Sequence, residues 1–459
     1  MNYRVRVACI YLLGFFIDLI NMFIANIAYP EIGRNFDASI TQLAWISNSY
    51  ILGLTLVIPL SSWLGKKVGN KRTLILSLGL FIVSTCGVAA STSISQMITW
   101  RCFQGIGGGL LIPIGQSMSY ALYQRHERAK LSAAIMLVAL FAPAISPTIG
   151  GVIVDHLSWR WVFLATLPLA ILTLIITAYW LKTDVRTDLS PQLDLWGFIM
   201  SCFALAFILI GLTIVGEYGH FYRGVFILMI GFIWGILYIR NSLKKKNPLI
   251  NLHLVKNPLL QIGMLIYQFV PGIFTGVNVI SVLYLQNLLN MHASTVGTMM
   301  LPWSLASFLA IRLTSKKFNI LGPRPLLITG CIIHAFGIGL LALTSHTTTI
   351  SIFLLAFALM GFGGSLCSST AQSAAFLQVK NDEMTDASVL WNINRQLSFC
   401  FGITIISLLF NLISKTNLSI EHVYHLCFLL AACSAIVPIL FCFRIANQEI
   451  ILRLNKESK

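Results

Sequence analysis

Fourteen long apolar runs, separated by short polar connectors, dominate this chain and leave few folds open to it. They lie near 7–29, 43–64, 73–90, 97–121, 131–154, 159–181, 195–215, 222–240, 258–285, 295–314, 323–343, 349–377, 387–413 and 422–443. Bilayer hydrocarbon is about 30 Å thick, so a helical crossing needs roughly 20 mainly apolar residues. Inside lipid a peptide group can find its hydrogen bond only within the protein, so runs of this length specify membrane-spanning helices. With 57% hydrophobic and 10% charged residues among 459, no length remains for a large soluble domain. An all-α membrane protein is the expected class.

The net charge of +16 could suggest a nucleic-acid partner, but its placement argues otherwise. Of the 31 Lys and Arg residues, Arg101 and Arg395 fall inside apolar runs away from their margins, and only Arg34, Arg160, Arg223 and Lys415 fall in or beside one alternate set of connectors. The remaining twenty-five lie in the other set and at the two termini. That asymmetry orients helices in a membrane, basic connectors inside. The expectation is a multi-pass protein of a bacterial inner membrane with both termini cytoplasmic, in contact with lipid rather than nucleic acid. All ten cysteines fall in apolar runs and none forms a CxxC or Cys/His ligand pattern, so no metal site is expected. The first run is followed by no small-residue cleavage site and is expected to be retained.

The runs group as six, two and six. Polar breaks at 182–194 and 240–257 divide the chain into a six-helix bundle (1–181), two additional helices with a cytoplasmic linker (182–257) and a second six-helix bundle (258–459). An internal echo supports the pairing of the sixes. The connector SWLGKKVGNKRTL (62–74) follows the second run, and RLTSKKFNILGPRPL (312–326) follows the tenth. Parallel half-repeats around a central cavity are a transporter architecture.

Several segments in order carry a family resemblance. These are FIANIAYP (23–30), WISNSYILGLTLVIPLSSWL (45–64) with Trp45, Tyr50 and Pro59, WRCFQGIGGGLLIP (100–113), APAISPTIGG (142–151), SWRWVFLATLP (158–168) and NINRQLSFCFG (392–402). Together they resemble the major facilitator superfamily and, within it, the EmrB/QacA-type fourteen-span drug:proton antiporters. The resemblance implies two six-helix bundles plus two central helices, and export by alternating access driven by the proton gradient, with no bound cofactor and no enzymatic chemistry. EmrB-like members work with a periplasmic adaptor protein, which makes one a candidate partner here.

Physical reasons can be given for several of these positions. Gly105, Gly107, Gly108 and Gly109 allow close helix approach, which in lipid replaces the missing hydrophobic drive. Pro143 and Pro147, followed by Gly150 and Gly151, are expected to bend the fifth span and assist gating. Lys66, Gly69 and Arg72 sit in the basic connector expected to gate the cytoplasmic side. The resembled connector carries an acid where this chain has Lys66.

Ionisable residues inside a membrane are costly and point to function. Asp18 is the one acid read as near mid-bilayer, about 16 Å into the first run at 1.5 Å per residue. Asp18, Asn21, Met22 and Ala25 share a helical face, with Asn26 beyond it. In the resembled signature an acid stands nine positions before the proline; here Asn21 holds that place, and Asp18, one turn earlier, is a stand-in. Two roles are open for Asp18: a carboxyl that gains and loses a proton during the cycle with Arg101 as partner, or a buried pair that merely neutralises Arg101. Candidate substrate contacts are Asn21, Met22, Ala25, Asn26, Gln104, Tyr267, Gln268, Asn278, Trp303, Trp391, Asn392 and Arg395. No acid is read inside the last six runs. Aromatic faces there suit flat apolar drugs and cations, whereas Arg101 and Arg395 could hold a carboxylate, favouring a small-molecule anion such as a siderophore.

Overall fold

The computed structural model describes residues 2–182, 192–216, 219–245, 248–345 and 348–458, apart from the side chains of residues 26, 40, 41, 147, 148, 155, 293, 294, 457 and 458. The described residues form helices and turns with no strand. Fourteen long helices follow one another: α1 Tyr3–Ile24, α2 Ile40–Val68, α3 Asn70–Ala89, α4 Ile94–Leu122, α5 Arg128–His156, α6 Trp159–Trp180 and α7 Leu195–Gly216. The series continues with α8 Phe221–Lys244, α9 Pro258–Leu288, α10 Leu301–Leu321, α11 Pro323–Leu341, α12 Ile350–Ala375, α13 Met384–Ile413 and α14 Ile420–Cys442, and a polar helix α15 Asn447–Ser458 ends it.

Thirteen of the fourteen are long and apolar enough to cross a membrane on composition alone. The exception is α4, whose 29 residues span about 44 Å at 1.5 Å per residue but include Arg101, Gln104, Gln116 and a glycine run. Its polarity faces protein: Arg101, Gln104, Gly105 and Gln116 are all buried. Helix starts follow local chemistry. Ser39 and Gln42 form a reciprocal cap on α2, Ser93 accepts from the Gln96 N–H on α4, and Asn257, just before Pro258, accepts from the Leu259 and Leu260 N–H groups at the start of α9.

The internal echo is present in the backbone. One glycine with positive φ separates α2 from α3 (Gly69, φ 94°), and one separates α10 from α11 (Gly322, φ 74°). Only a residue without Cβ turns the chain there at no steric cost. Packing repeats as well: α4 packs on α2 and α3, while α12 packs on α10 and α11. The pair α7 and α8 pack on each other, and α7 leans on α2 and α13.

Connectors after α2, α4, α6 and α10 meet at one end, the end that carries the basic connectors. Arg4 pairs with Glu127 at 2.8 Å, Lys71 Nζ donates to the Leu181 carbonyl at 2.7 Å, and Asn319 donates to the His126 carbonyl at 2.7 Å. Pro143 lies within one continuous helix, Arg128–His156, and the Pro147 side chain lies outside the described residues. The last six runs hold no acid, but the structure buries Asp386 just ahead of the run at 387–413. It sits in the first turn of α13, 7% exposed, because that helix begins at Met384, ahead of the point where hydropathy rises.

Candidate functional site

Within the first bundle, a polar network crosses five helices at the level of Arg101. This side chain is fully buried and cannot shed its charge, so its donors must find oxygen. One Nη donates to Asn21 Oδ1 and to Gln104 Oε1, both at 2.7 Å, and Nε donates to the Ile46 carbonyl at 3.1 Å. Gln104 passes its amide to Thr85 Oγ1 at 2.7 Å, and Asn21 donates to Thr166 Oγ1 at 3.2 Å. The second Nη of Arg101 has no partner. Helices α1, α2, α3, α4 and α6 are thereby tied to one guanidinium.

Asp18 is 3% exposed and lies beside this network. Tyr50 of α2 donates its hydroxyl to Asp18 Oδ1, and the Arg101 guanidinium lies over the face of the same ring, 4.3 Å from its centroid. The tyrosine thus touches cation and carboxyl at once, and Asp18 forms no ion pair with Arg101 among the described residues. Gly108 makes the space: a Cβ there would come within 2.5 Å of Asp18 Oδ1 and 3.1 Å of the Tyr50 hydroxyl. Gly105 and Gly109 bring α4 against α2, where a Cβ would fall 2.0 Å from the Tyr50 carbonyl and 2.3 Å from that of Leu54.

Other predicted residues spread more widely. Ala25 is buried in a 3-10 turn after α1 and Met22 is half-buried; the side chain of Asn26 lies outside the described residues. Gly150 is a close approach, with a Cβ meeting Ile24 at 2.9 Å, whereas nothing would meet one at Gly151. In the second bundle Tyr267 and Trp391 are buried edge to face at 4.7 Å, and Gln268 donates to Asn394 at 3.0 Å. Trp303 stacks on Phe274 at 5.7 Å, and Phe274 also meets the buried His334. Asn278 is half-buried. Arg395 is 8% exposed, its Nε has no partner, and its guanidinium sits 4.9 Å from the ring of Phe15 on α1.

The two bundles meet through a seam at the basic end. Ser62 donates to Asp386 Oδ1, and Lys66 Nζ reaches Oδ2 of the same carboxylate at 3.4 Å. Gln116 Oε1 accepts from Ser388 and Asn392, both at 2.6 Å; Gln372 donates to Tyr120 at 3.2 Å; Arg128 donates to the Phe376 carbonyl. The hydrogen bonds described between residues 2–181 and 258–458 use residues 62–136 of the first bundle, in α2, α4 and α5 and in the turn that holds His126. Arg72, expected to join this gate, is exposed and makes no described contact. Sequence reading missed Asp386, Gln116 and Thr166, and it had Tyr50 only as part of a motif. The surviving signal was polarity inside otherwise apolar helices.

The whole chain has relatives. A family model described as Major Facilitator Superfamily matches residues 11–403. An uncharacterized MFS-type transporter of Bacillus subtilis (strain 168), YcnB, is 30% identical over 341 residues, which are 74% of this chain and 72% of that one. The lincomycin resistance protein LmrB of Listeria innocua is 26% identical over 85% of this chain and 83% of its own. The putative multidrug resistance protein MdtD of Enterobacter sp. (strain 638) is 24% identical over 97% and 96%. Among solved structures, the human organic anion transporter MFSD10 superposes with a TM-score of 0.71 at 13% identity, covering 96% of this chain and 100% of that one. A double-tryptophan variant of XylE gives 0.69 at 15%, covering 99% and 98%. Family model, relatives and helix packing agree: this chain is a multi-pass membrane protein that belongs to the major facilitator superfamily.

Proposed function

We propose that this transporter exports small amphipathic molecules, drugs among them, in exchange for protons across a bacterial plasma membrane, with its basic end and both termini in the cytoplasm. One observation carries the reading: Asp18 is a carboxyl buried mid-span with a tyrosine hydroxyl as its bonded partner and no ion pair among the described residues. A carboxyl so placed can hold a proton or give it up, which a group locked to Arg101 could not do without leaving a charge stranded. Relatives named for lincomycin and multidrug resistance support the substrate class. The seam supports the cycle. The hydrogen bonds described between the halves lie at the basic end, the arrangement expected of a carrier closed to the cytoplasm, and opening there requires the Asp386 and Gln116 contacts to part.

A second reading, export of a specific anionic metabolite, draws on Arg395, a buried guanidinium at the seam whose Nε lacks a partner. Coulomb's law separates the two. Exchange requires substrate and proton to exclude each other. A cation near Asp18 competes with the proton, whereas an anion on Arg395 favours the protonated carboxyl. The first reading therefore agrees better with exchange.

Everted vesicles decide the matter. A lipophilic cation dye should accumulate when the lumen is acidified and leak back when the gradient is collapsed. Accumulation that ignores the pH gradient would remove proton coupling from the proposal.

A further inference from the structure

The second bundle holds a buried nitrogen that the network around Arg101 does not involve. His334 of α11 is 2% exposed, and its Nδ1 lies 2.9 Å from the Met360 carbonyl of α12. A carbonyl oxygen can only accept, so Nδ1 carries the hydrogen, and Nε2 of the neutral ring is left as an acceptor. No group among the described residues donates to it. A buried acceptor without a donor is costly, and a phenylalanine in the same place would avoid the cost.

The internal echo makes that comparison concrete. Tyr50 and Phe81 stand nineteen residues before and twelve after the turn glycine Gly69, and Trp303 and His334 stand at the same distances from Gly322. Close contacts match as well. A Cβ on Gly105 would meet the Tyr50 carbonyl at 2.0 Å, and one on Gly361 the Trp303 carbonyl at 2.3 Å. A Cβ on Gly107 would meet the Phe81 nitrogen at 2.8 Å, and one on Gly363 the His334 nitrogen at 2.4 Å. Trp303 thus takes the place of Tyr50, and His334 that of Phe81. Gly108 leaves room for Asp18 and Tyr50; its counterpart Gly364 leaves room for the imidazole, since a Cβ there would come 3.2 Å from Nδ1.

Phe274 links this ring to reachable surface. It meets His334 edge to face at 5.7 Å and lies flat on Trp303, and both Phe274 and Trp303 are half-buried. Just before Phe274, α9 passes through a π-helical turn, Gln268–Gly272. Such turns interrupt the regular hydrogen-bond ladder and are frequent at functional sites.

We propose that His334 Nε2 accepts a hydrogen bond from an N–H or O–H group of the transported molecule, while Phe274 and Trp303 hold its flat apolar part. Cationic amines suit the site best. Ring faces attract delocalised cations, and a donor that carries charge bonds more strongly than a neutral one. A site built around an acceptor discriminates against analogues that lack the donor. The choice of a cation rests on the export function proposed above; the unpartnered acceptor does not.

The test compares two fluorescent cations that differ only at their nitrogens: rhodamine methyl ester, which has two primary amino groups, and tetramethylrhodamine methyl ester, in which methyl groups replace those hydrogens. Binding to the purified full-length protein is read by fluorescence anisotropy, folding by thermal unfolding, and transport separately in everted vesicles. His334→Phe, which copies the packing of the first bundle, should weaken binding of the amino dye about tenfold and change binding of the methylated dye less than about twofold. His334→Leu, also without an acceptor, should do the same. His334→Gln, whose side-chain oxygen can reach the place of Nε2, should recover most of the loss. Equal effects on both dyes, no effect on either, or failure of wild type to bind the amino dye would overturn the proposal. Discrimination in binding, with no pH-driven uptake by wild-type vesicles, would uphold the acceptor site and remove the export function instead.

Discussion

The two bundles repeat one packing scheme around unlike centres. In the first, α4 lies on α2 and α3, and its middle is a sealed polar network around Arg101 and Asp18. In the second, α12 lies on α10 and α11, and the matching space holds the stacked pair Phe274 and Trp303 with His334. Shared packing sets where helices run, and a handful of side chains sets what each bundle can do. On the function proposed above, the first bundle would hold the proton and the second would meet a flat apolar substrate, with the seam at Asp386 and Gln116 between them.

If that division is right, damage to the first centre should stop transport and damage to the second should change its selectivity. Arg101→Ala should have the largest effect. It strands the Asn21 and Gln104 oxygens in the core and should cost about 1–3 kcal/mol of stability for each group left unsatisfied as well as abolishing efflux, checked by thermal unfolding in detergent and by vesicle transport. Next is Gly108→Ala, whose new methyl group would press on the Asp18 carboxyl and the Tyr50 hydroxyl. Overpacking of this kind costs about 1–3 kcal/mol, and proton-driven efflux should fall while the protein still reaches the membrane. Trp303→Ala should lose the stacking contribution of about 0.5–1.5 kcal/mol, weakening export of flat aromatic dyes by up to about tenfold while leaving the dependence on the pH gradient intact. An equal loss of pH dependence would break the comparison. Lys66→Ala should matter least, because Lys66 is half exposed and such pairs contribute roughly 0–1 kcal/mol; Asp386→Ala should be the more damaging, since that buried carboxylate also serves Ser62.

Much of the fold was legible because lipid imposes a length and a composition on every crossing. The fourteen runs and the glycine-marked echo needed only local sequence. The charged positions inside helices, Asp18 and Arg101, were also legible, since each stands alone against an apolar background. Partners were harder to see. Nothing near Asp18 in sequence announces Tyr50, and Ser62 and Asp386 are 324 positions apart. Asp386 was hidden for a second reason: it sits at a helix start, where an acid is favourable beside the N-terminal N–H groups and reads as connector.

Substitution Asp18→Asn tests the central claim most directly. The amide is nearly isosteric and can still accept from Tyr50, so the protein should fold, reach the membrane and bind dye. In vesicles it should show no uptake driven by an acid lumen, and substrate addition to the purified protein should release no protons. If the variant instead concentrates dye down the pH gradient as wild type does, the proton is carried elsewhere and Asp18 is a structural neighbour of Arg101.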